Sequence, residues 1–292
     1  MRCLIVGDLH LTEKQPENRI DNFEETVIQK FEFILRTAYN EECEMILSPG
    51  DFTDSPTASW RFFNRIVLAQ NLYNIPIYTV YGQHDLKYRN KGNTFLDALS
   101  YSCKSFEILY SGDYLAKNEA SICGASYNEE IPDPFSGEFK ILLIHKMIVE
   151  DKLWAAQEDY EYSAHFLRKH KFDLIVSGDN HKSFMATSGN RFLFNCGSMT
   201  RMRTDQADHQ PICIVFDTKD RSYKEIPIPI EKDVFKSKEF EKELNVELTS
   251  FIEGLKEQEE VGLDFVNDLD SYCKANNIGE EITNEIDEAM HG

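Results

Sequence analysis

Carboxylates and imidazoles recur along this chain in short clusters, and each cluster follows an apolar run. Asp8 and His10 close "CLIVGDLH", Asp51 and Asp54 close "MILSPGDFTD", and Gln83 and His84 close "IPIYTVYGQHD". His145 closes "KILLIH", and Asp179 and His181 close "DLIVSGDNH". Any one cluster, taken alone, is a capped turn or a hydrogen-bonded histidine. Five in succession, each at the end of an apolar run, predict a common destination. Groups converging there would repel one another without cations between them, and both carboxylate oxygens and imidazole nitrogens are ligands of divalent metals. The five clusters together predict a site for divalent metal ions.

The apolar runs are short and continuous, as expected for strands buried on both faces, and stretches of helical periodicity lie between several of them. Residues 23–39 place Phe23, Val27, Phe31, Ile34 and Leu35 at three-to-four spacing, and 58–73 behave similarly. Strands alternating with helices predict an α/β fold, in which ligands bind at the carboxyl ends of strands. From about residue 183 the pattern changes to hairpins, one around Ser188-Gly189-Asn190 and one around Lys219-Asp220. Residues 237–256 return to an amphipathic helix carrying Phe240, Leu244, Leu248 and Phe251 on one face. This suggests a main domain over 1–230 and an acidic helical region over 231–292. The latter holds 18 acidic and 6 basic residues, a net −12 of the chain's −20.

The totals bound the reading further. A chain of 292 residues can bury one large core and a small appendage. Seven scattered cysteines without a CxxC pair predict free thiols in a reducing compartment, here the cytoplasm, and argue against a cysteine-built zinc site. No segment is long and apolar enough to cross a bilayer. With 31 Lys and Arg against 51 Asp and Glu, the chain is no general polyanion binder, so any nucleic-acid contact must be local. Lys87, Arg89 and Lys91 in "DLKYRNKGN" and Arg201 and Arg203 in "SMTRMRTD" are the candidates for phosphate contacts; the bland alternative is solvated loop charge. Tyr88 reads as packing, with stacking on a base as the alternative, His165 and His170 as surface residues, and His209 as a turn hydrogen bond, with a place lining the site as the alternative. Asn195 and Ser198 read as shapers of a turn.

"DLH", "GDFTD", "GQHD", the strand-end His145, and "GDNH" followed by "NCGS" resemble, in order and spacing, the motifs of calcineurin-like metallophosphoesterases: D-x-H, GDxxD, GNH(D/E), H and GHxH. The likeness covers roughly residues 1–200. Within that superfamily "GQHDLKYRNKGNT" and "GSMTRMRTDQADHQP" look most like nuclease subunits of the SbcD type, bacteriophage versions included. The resemblance implies a four-layer α-β-β-α sandwich with a small C-terminal helical appendage. It implies that Asp8, His10 and His181 hold one metal and Gln83, His145 and Asp179 a second, with Asp51 bridging. His84 would contact the scissile phosphate and protonate the leaving oxygen, oriented by a hydrogen bond from Asp54. Two positions depart from the family pattern: Gln83 stands where Asn is usual, and Asp179 where the first His of GHxH is usual. Neither change removes a ligating atom, and the added carboxylate favours Mn²⁺ or Mg²⁺ over Zn²⁺. The implied function is hydrolysis of DNA phosphodiester bonds, as an exo- or endonuclease in recombination, repair or phage DNA processing. The implied partners are DNA, an SbcC-like coiled-coil ATPase docked on the C-terminal helices, for which a reduced cap on the site or packing on the body are the alternatives, and a second copy packed through residues 58–75; the compartment is the cytoplasm, that of the host for a phage-encoded chain. The competing readings are a stand-alone phosphatase or small-molecule phosphodiesterase, and a scaffold with a weak metal site.

Overall fold

The computed structural model describes residues 1–117, 119–134, 139–153 and 157–236. Within them each apolar run becomes a strand. The chain opens with β1 (Arg2–Ile5), then α1 (Phe23–Asn40), β2 (Met45–Leu47), α2 (Trp60–Tyr73), β3 (Ile77–Thr79), α3 (Phe95–Ser102) and β4 (Phe106–Ile108). It continues through β5 (Tyr114–Lys117), β6 (Ala120–Ala125), β7 (Phe139–His145), the short β8 (Ile148–Val149) and β9 (Glu161–Tyr162), α4 (Ser163–Lys169) and β10 (Leu174–Gly178). Two hairpins finish it: β11 (Phe184–Ser188) with β12 (Arg191–Asn195), and β13 (Ile212–Asp217) with β14 (Tyr223–Pro227).

Among the described residues twelve strands form two six-stranded sheets, ordered β14-β13-β1-β2-β3-β4 and β11-β12-β10-β7-β6-β5, and β8 pairs with β9 separately. β1 to β4 run parallel to one another, as do β6, β7, β10 and β12, while the outer strands are antiparallel. Three cores separate four layers. Leu4, Ile46 and Ile77 on one face of the first sheet pack with Phe23, Phe31 and Phe62 of α1 and α2. Their alternating neighbours Ile5, Leu47 and Tyr78 pack on Ile141, Leu143 and Val176 of the second sheet, since successive strand residues point to opposite faces. The far face of the second sheet, with Leu142, Ile144 and Ile175, covers itself with Phe166 and Leu167 of α4. The expected α-β-β-α sandwich follows from this period-two alternation. The helices start where side chains satisfy free N–H groups: Asn22 caps α1, Ser59 caps α2, and Thr94 with Asp97 forms a capping box on α3.

The first compact unit spans Met1–Phe235. Residues 231–235 are fastened to it by buried cations. Arg19, 3% exposed, binds Asp21 through Nε and Nη2 at 2.7 and 2.6 Å and donates Nη1 to the Arg201 carbonyl at 2.6 Å. Arg201 in turn donates to the carbonyls of Ala207 and Glu231, and Arg19 and Arg201 both approach the Phe235 ring. The helical appendage and its Phe240, Leu244, Leu248 and Phe251 lie outside the described residues. Replacing Arg19 by Ala leaves Asp21 and the Arg201 carbonyl without their partner, so a loss of about 3 kcal/mol is expected from urea unfolding midpoints. Arg19→Lys is expected to recover less than half, because an ammonium cannot reproduce the two-pronged bond.

Candidate metal centre

Asp8 and His10 follow β1, Asp51 and Asp54 follow β2, and Gln83 and His84 follow β3, so three adjacent parallel strands deliver them to one edge of the first sheet. His145 ends β7, and Asp179 and His181 follow its parallel neighbour β10 in the second sheet. The two edges meet. The Asp179 N–H donates to Asp8 Oδ2 at 2.9 Å, and His10 Nε2 lies 3.2 Å from His181 Nε2. His145 Nε2 is 3.3 Å from Asp51 Oδ2, and His84 N–H donates to Asp51 Oδ1 at 2.8 Å. The Gln83 amide, 96 residues away in sequence, donates to Asp179 Oδ1 at 3.0 Å.

Tight backbone geometry makes this possible. His10, Asp51 and Asp179 all have positive φ, at 46°, 44° and 78°, a region that costs non-glycine residues energy and clusters at functional sites. A Cβ at Gly82 would overlap the Asp51 carboxylate, and one at Gly178 would overlap Asp8 Oδ1. Asp85, to which the sequence reading assigned no role, fixes the second turn to the third. Its buried carboxylate accepts from Thr53 N at 2.8 Å, Thr53 Oγ1 at 2.8 Å and Gly82 N at 2.9 Å. The signal was the terminal aspartate of "GQHD", a small carboxylate able to collect main-chain N–H groups from two loops.

The donor set fits divalent cations. Asp8 and Asp51 are fully buried, and each keeps one oxygen, Asp8 Oδ1 and Asp51 Oδ2, without a hydrogen-bond donor. His145 donates Nδ1–H to the Pro49 carbonyl at 3.0 Å, which leaves the Nε2 lone pair facing Asp51 Oδ2. An imidazole anchored through one nitrogen to a carbonyl is the usual outer support of a metal ligand. Two facing lone pairs require a proton or a cation between them. Asp8, His10 and His181 bring ligand atoms within 4.8 Å of one another, as do His10, Asp54 and His84. In the absence of cations the titrations absorb the mismatch. Burial pushes Asp8 up to about 7, against the pull of His145 and with Asp51 adding to the rise. Burial drives His181 down to about 4, helped by the neighbouring His10. His145 rises to about 10, because Asp51 and Asp8 outweigh its burial.

The other anticipated residues divide. His84 sits at the mouth, its side chain 41% exposed, with its ring edge-on to His10 at 4.8 Å. Its Nδ1 donates to the main-chain carbonyl of Asp54 at 3.2 Å, whereas the Asp54 carboxylate is nearer His10 Nδ1, at 3.4 Å, than His84 Nδ1, at 3.6 Å. The hydrogen bond expected between His84 and Asp54 is thus accepted by the Asp54 main chain. Lys87 and Arg89 are exposed on a tight turn just past His84, and Tyr88, expected to pack, is 87% exposed. Lys91 instead pairs with Glu129. Arg203 is exposed beside His181, but Arg201 is only 5% exposed. The expectation of a phosphate contact at Arg201 is corrected: its guanidinium is spent on internal carbonyls. His209 donates Nε2–H to the Ser198 carbonyl at 2.8 Å, and Asn195 bonds Asn180 O and Gly197 N around the turn behind Asp8.

The sequence matches the calcineurin-like phosphoesterase family over residues 1–183. Among solved structures, the TT1561 protein of Thermus thermophilus superposes with a TM-score of 0.50 at 13% identity, covering 78% of this chain and 99% of that one. An archaeal phosphodiesterase aligns with a TM-score of 0.44 at 14% identity over 78% and 99% of the two chains. A dimetal phosphatase from Danio rerio gives 0.48 at 10% identity over 79% and 99%. At 13% identity the likeness to the Thermus thermophilus protein is one of fold. No curated protein matches the sequence. The family match over 183 of 292 residues and a centre whose buried donors fit divalent cations lead to one conclusion: the chain belongs to the calcineurin-like phosphoesterase family, metal-dependent hydrolases of phosphate esters.

Proposed function

We propose that the protein is a two-metal phosphodiesterase that hydrolyses DNA, the nuclease subunit of an SbcCD-like recombination, repair or phage DNA-processing assembly. The observation that carries it is a half-exposed imidazole, His84, held by the Asp54 carbonyl at the mouth of a buried carboxylate–imidazole cluster and followed directly by the exposed cations Lys87 and Arg89. In this reading Asp8, His10 and His181 hold one cation and Gln83, His145 and Asp179 the other, with Asp51 shared. The carboxylate-rich set favours Mn²⁺, with Mg²⁺ next. When bound, the two cations supply Lewis acidity toward the ester and an activated water.

The chain's own residues do the rest. His145 keeps its proton on Nδ1 and Nε2 free to ligate. Asp54 receives His10 on the side away from His181. His84 keeps Nδ1–H on the Asp54 carbonyl, so Nε2 is the nitrogen that, when protonated, hands a proton to the leaving oxygen. Lys87, Arg89 and Arg203 steer the phosphate backbone. A second copy packed on α2 is supported by Trp60, Leu68 and Leu72, which are 78%, 70% and 78% exposed. Six described cysteines, all buried and free, support a cytoplasmic setting.

The reading is tested on a labelled DNA hairpin and on bis(p-nitrophenyl) phosphate, each with Mn²⁺, Mg²⁺ or EDTA. Wild type is expected to cleave both with Mn²⁺. His84→Ser should lose about 10²–10⁴-fold in kcat, the worth of a general acid, while Mn²⁺ still raises its melting temperature. Cleavage of the small ester alone would transfer the protein to stand-alone phosphodiesterases, and no cleavage with no Mn²⁺-induced stabilisation would make it a scaffold. The Gln83–Asp179 hydrogen bond generates a second expectation. Gln83→Asn and Asp179→His should each reduce the Mn²⁺-dependent rise in melting temperature, and the double variant should lose less than the sum, with a coupling of about 1 kcal/mol. Strict additivity would show that the two residues act independently.

A further inference from the structure

Beside a small cavity of about 60 Å³ next to His145, two larger cavities of different chemistry flank the metal centre. One, of about 370 Å³, runs past Asp54 and is lined by Thr12, Glu13, Lys14, Ser55 and Thr57, a polar wall carrying its own carboxylate. The other, of about 460 Å³, opens beside Asp179 and His181 and is lined by Met147, Leu153, Lys182, Arg203, Gln206 and His209. Its walls are set by the strand ends themselves. Lys182 follows the ligand-bearing turn after β10, its N–H held by Asn180 Oδ1 at 3.0 Å. Arg203 and His209 lie on the loop after β12, where Gln206 Oε1 accepts from Met202 N at 2.8 Å and Arg203 N at 3.1 Å.

Each wall has a definite chemical use. The carbonyl of Ser198 only accepts, so the 2.8 Å contact fixes the proton of His209 on Nε2. Nδ1 is then an acceptor for a ligand O–H or N–H. Burial lowers the basicity of His209, in keeping with a neutral ring. Met147 and Leu153 are half-buried and offer an apolar, polarisable contact of the kind that suits a flat ring. Lys182 and Arg203 bring cationic side chains to an exposed rim. The volume lies in the range of pockets that hold one small organic ligand. Neutral acceptor, apolar wall and cationic rim, in that combination, match a sugar and base followed by a second phosphate. The Asp54 side has no apolar wall beyond Leu11 and Ala58, and it presents Glu13.

Building on the phosphodiesterase reading, we infer that the cavity between Met147, Leu153, Lys182, Arg203 and His209 is a nucleotide subsite that receives the residue on one side of the scissile phosphate, with that residue's outer phosphate on Lys182 and Arg203. Substrate choice then rests on a polynucleotide-type diester having a charged continuation on this side. A monoester, or a diester of two small alcohols, leaves the subsite empty.

The test compares thymidine dinucleotides with and without a terminal phosphate, at the 5′ or the 3′ end, in Mn²⁺. Wild type is expected to prefer one phosphorylated dinucleotide in kcat/KM. Lys182→Ala with Arg203→Ala should cut that preference about tenfold, the scale of one charge-assisted contact, mainly through KM. Lys182→Arg should retain it, and Lys14→Ala on the other flank should leave it within twofold. Calorimetry of thymidine 3′,5′-bisphosphate binding provides a readout independent of turnover, with affinity falling by a similar factor in the double variant. Should wild type hydrolyse no ester, the phosphodiesterase reading fails while the calorimetry still decides the subsite. A bisphosphate affinity and a dinucleotide preference unmoved by the double substitution would overturn the inference.

Discussion

The structure is organised around two carboxylates that have been taken completely out of water. Asp8 and Asp51 are fully buried, Asp8 with His181 at 3.8 Å and Asp51 with His10 and His145 at 3.9 and 3.3 Å. Burying an ionised carboxylate costs several kcal/mol even after relaxation, and one hydrogen bond does not repay it. The fold supplies part of the compensation from its own backbone, one N–H from Asp179 and one from His84. It leaves the remaining oxygens facing inward without a donor. A cation that binds the folded chain and not the unfolded one closes this deficit, and stability is then tied to metal occupancy by mass action.

That requirement explains why the centre spans both sheets. Carboxylates from neighbouring strands of one sheet could not surround a cation, because they approach it from one side. Here β1, β2 and β3 deliver Asp8, His10, Asp51 and Gln83, while β7 and β10 of the facing sheet deliver His145, Asp179 and His181. The packed interior between the sheets, built on Ile5, Leu47, Leu143 and Val176, fixes their separation. Gly178 lets the second sheet's edge approach Asp8, and Gly82 lets the third turn of the first sheet approach Asp51. The buried carboxylates and imidazoles stand at strand ends, and the exposed cations Lys87, Arg89, Lys182 and Arg203 stand on turns and loops. Precision is needed where charges are buried, and turns and loops leave the rim adaptable.

Much of this was legible in the sequence, because apolar runs and their polar ends are local signals. The strands, the helices beginning at Phe23 and Trp60, and the hairpin at Gly189 follow from periodicity and turn chemistry within windows of a few residues. What escaped is what depends on partners far away in the chain. "SMTRMRTD" cannot tell that Arg201 turns inward to carbonyls while Arg203 stays exposed, since a cation after a strand end reads the same in both cases. Nor can "GQHD" tell that Asp85 holds Thr53, or that Asp54 offers His84 its main chain while its carboxylate lies nearer His10. The Gln83–Asp179 contact is a further case. Two residues that differ individually from the family pattern touch one another, so the departures form one local arrangement across the two sheets.

The acidity of the chain, which at first argues against a polyanionic substrate, loses its force when charge is located. Residues 231–292 hold −12 of the net −20. A chain-wide total does not give the sign of the charge at one mouth, which is set by the groups within about 8 Å of it at physiological ionic strength. What matters there is the sign of the centre itself. Asp8 and Asp51 are buried among His10, His145 and His181, and divalent cations bound there would add positive charge where a phosphate ester arrives. The exposed cations Lys87, Arg89, Lys182 and Arg203 stand at the rim of the same centre. Net charge therefore bears on solubility and on encounter with other macromolecules, and the choice of substrate is left to the few residues around the mouth.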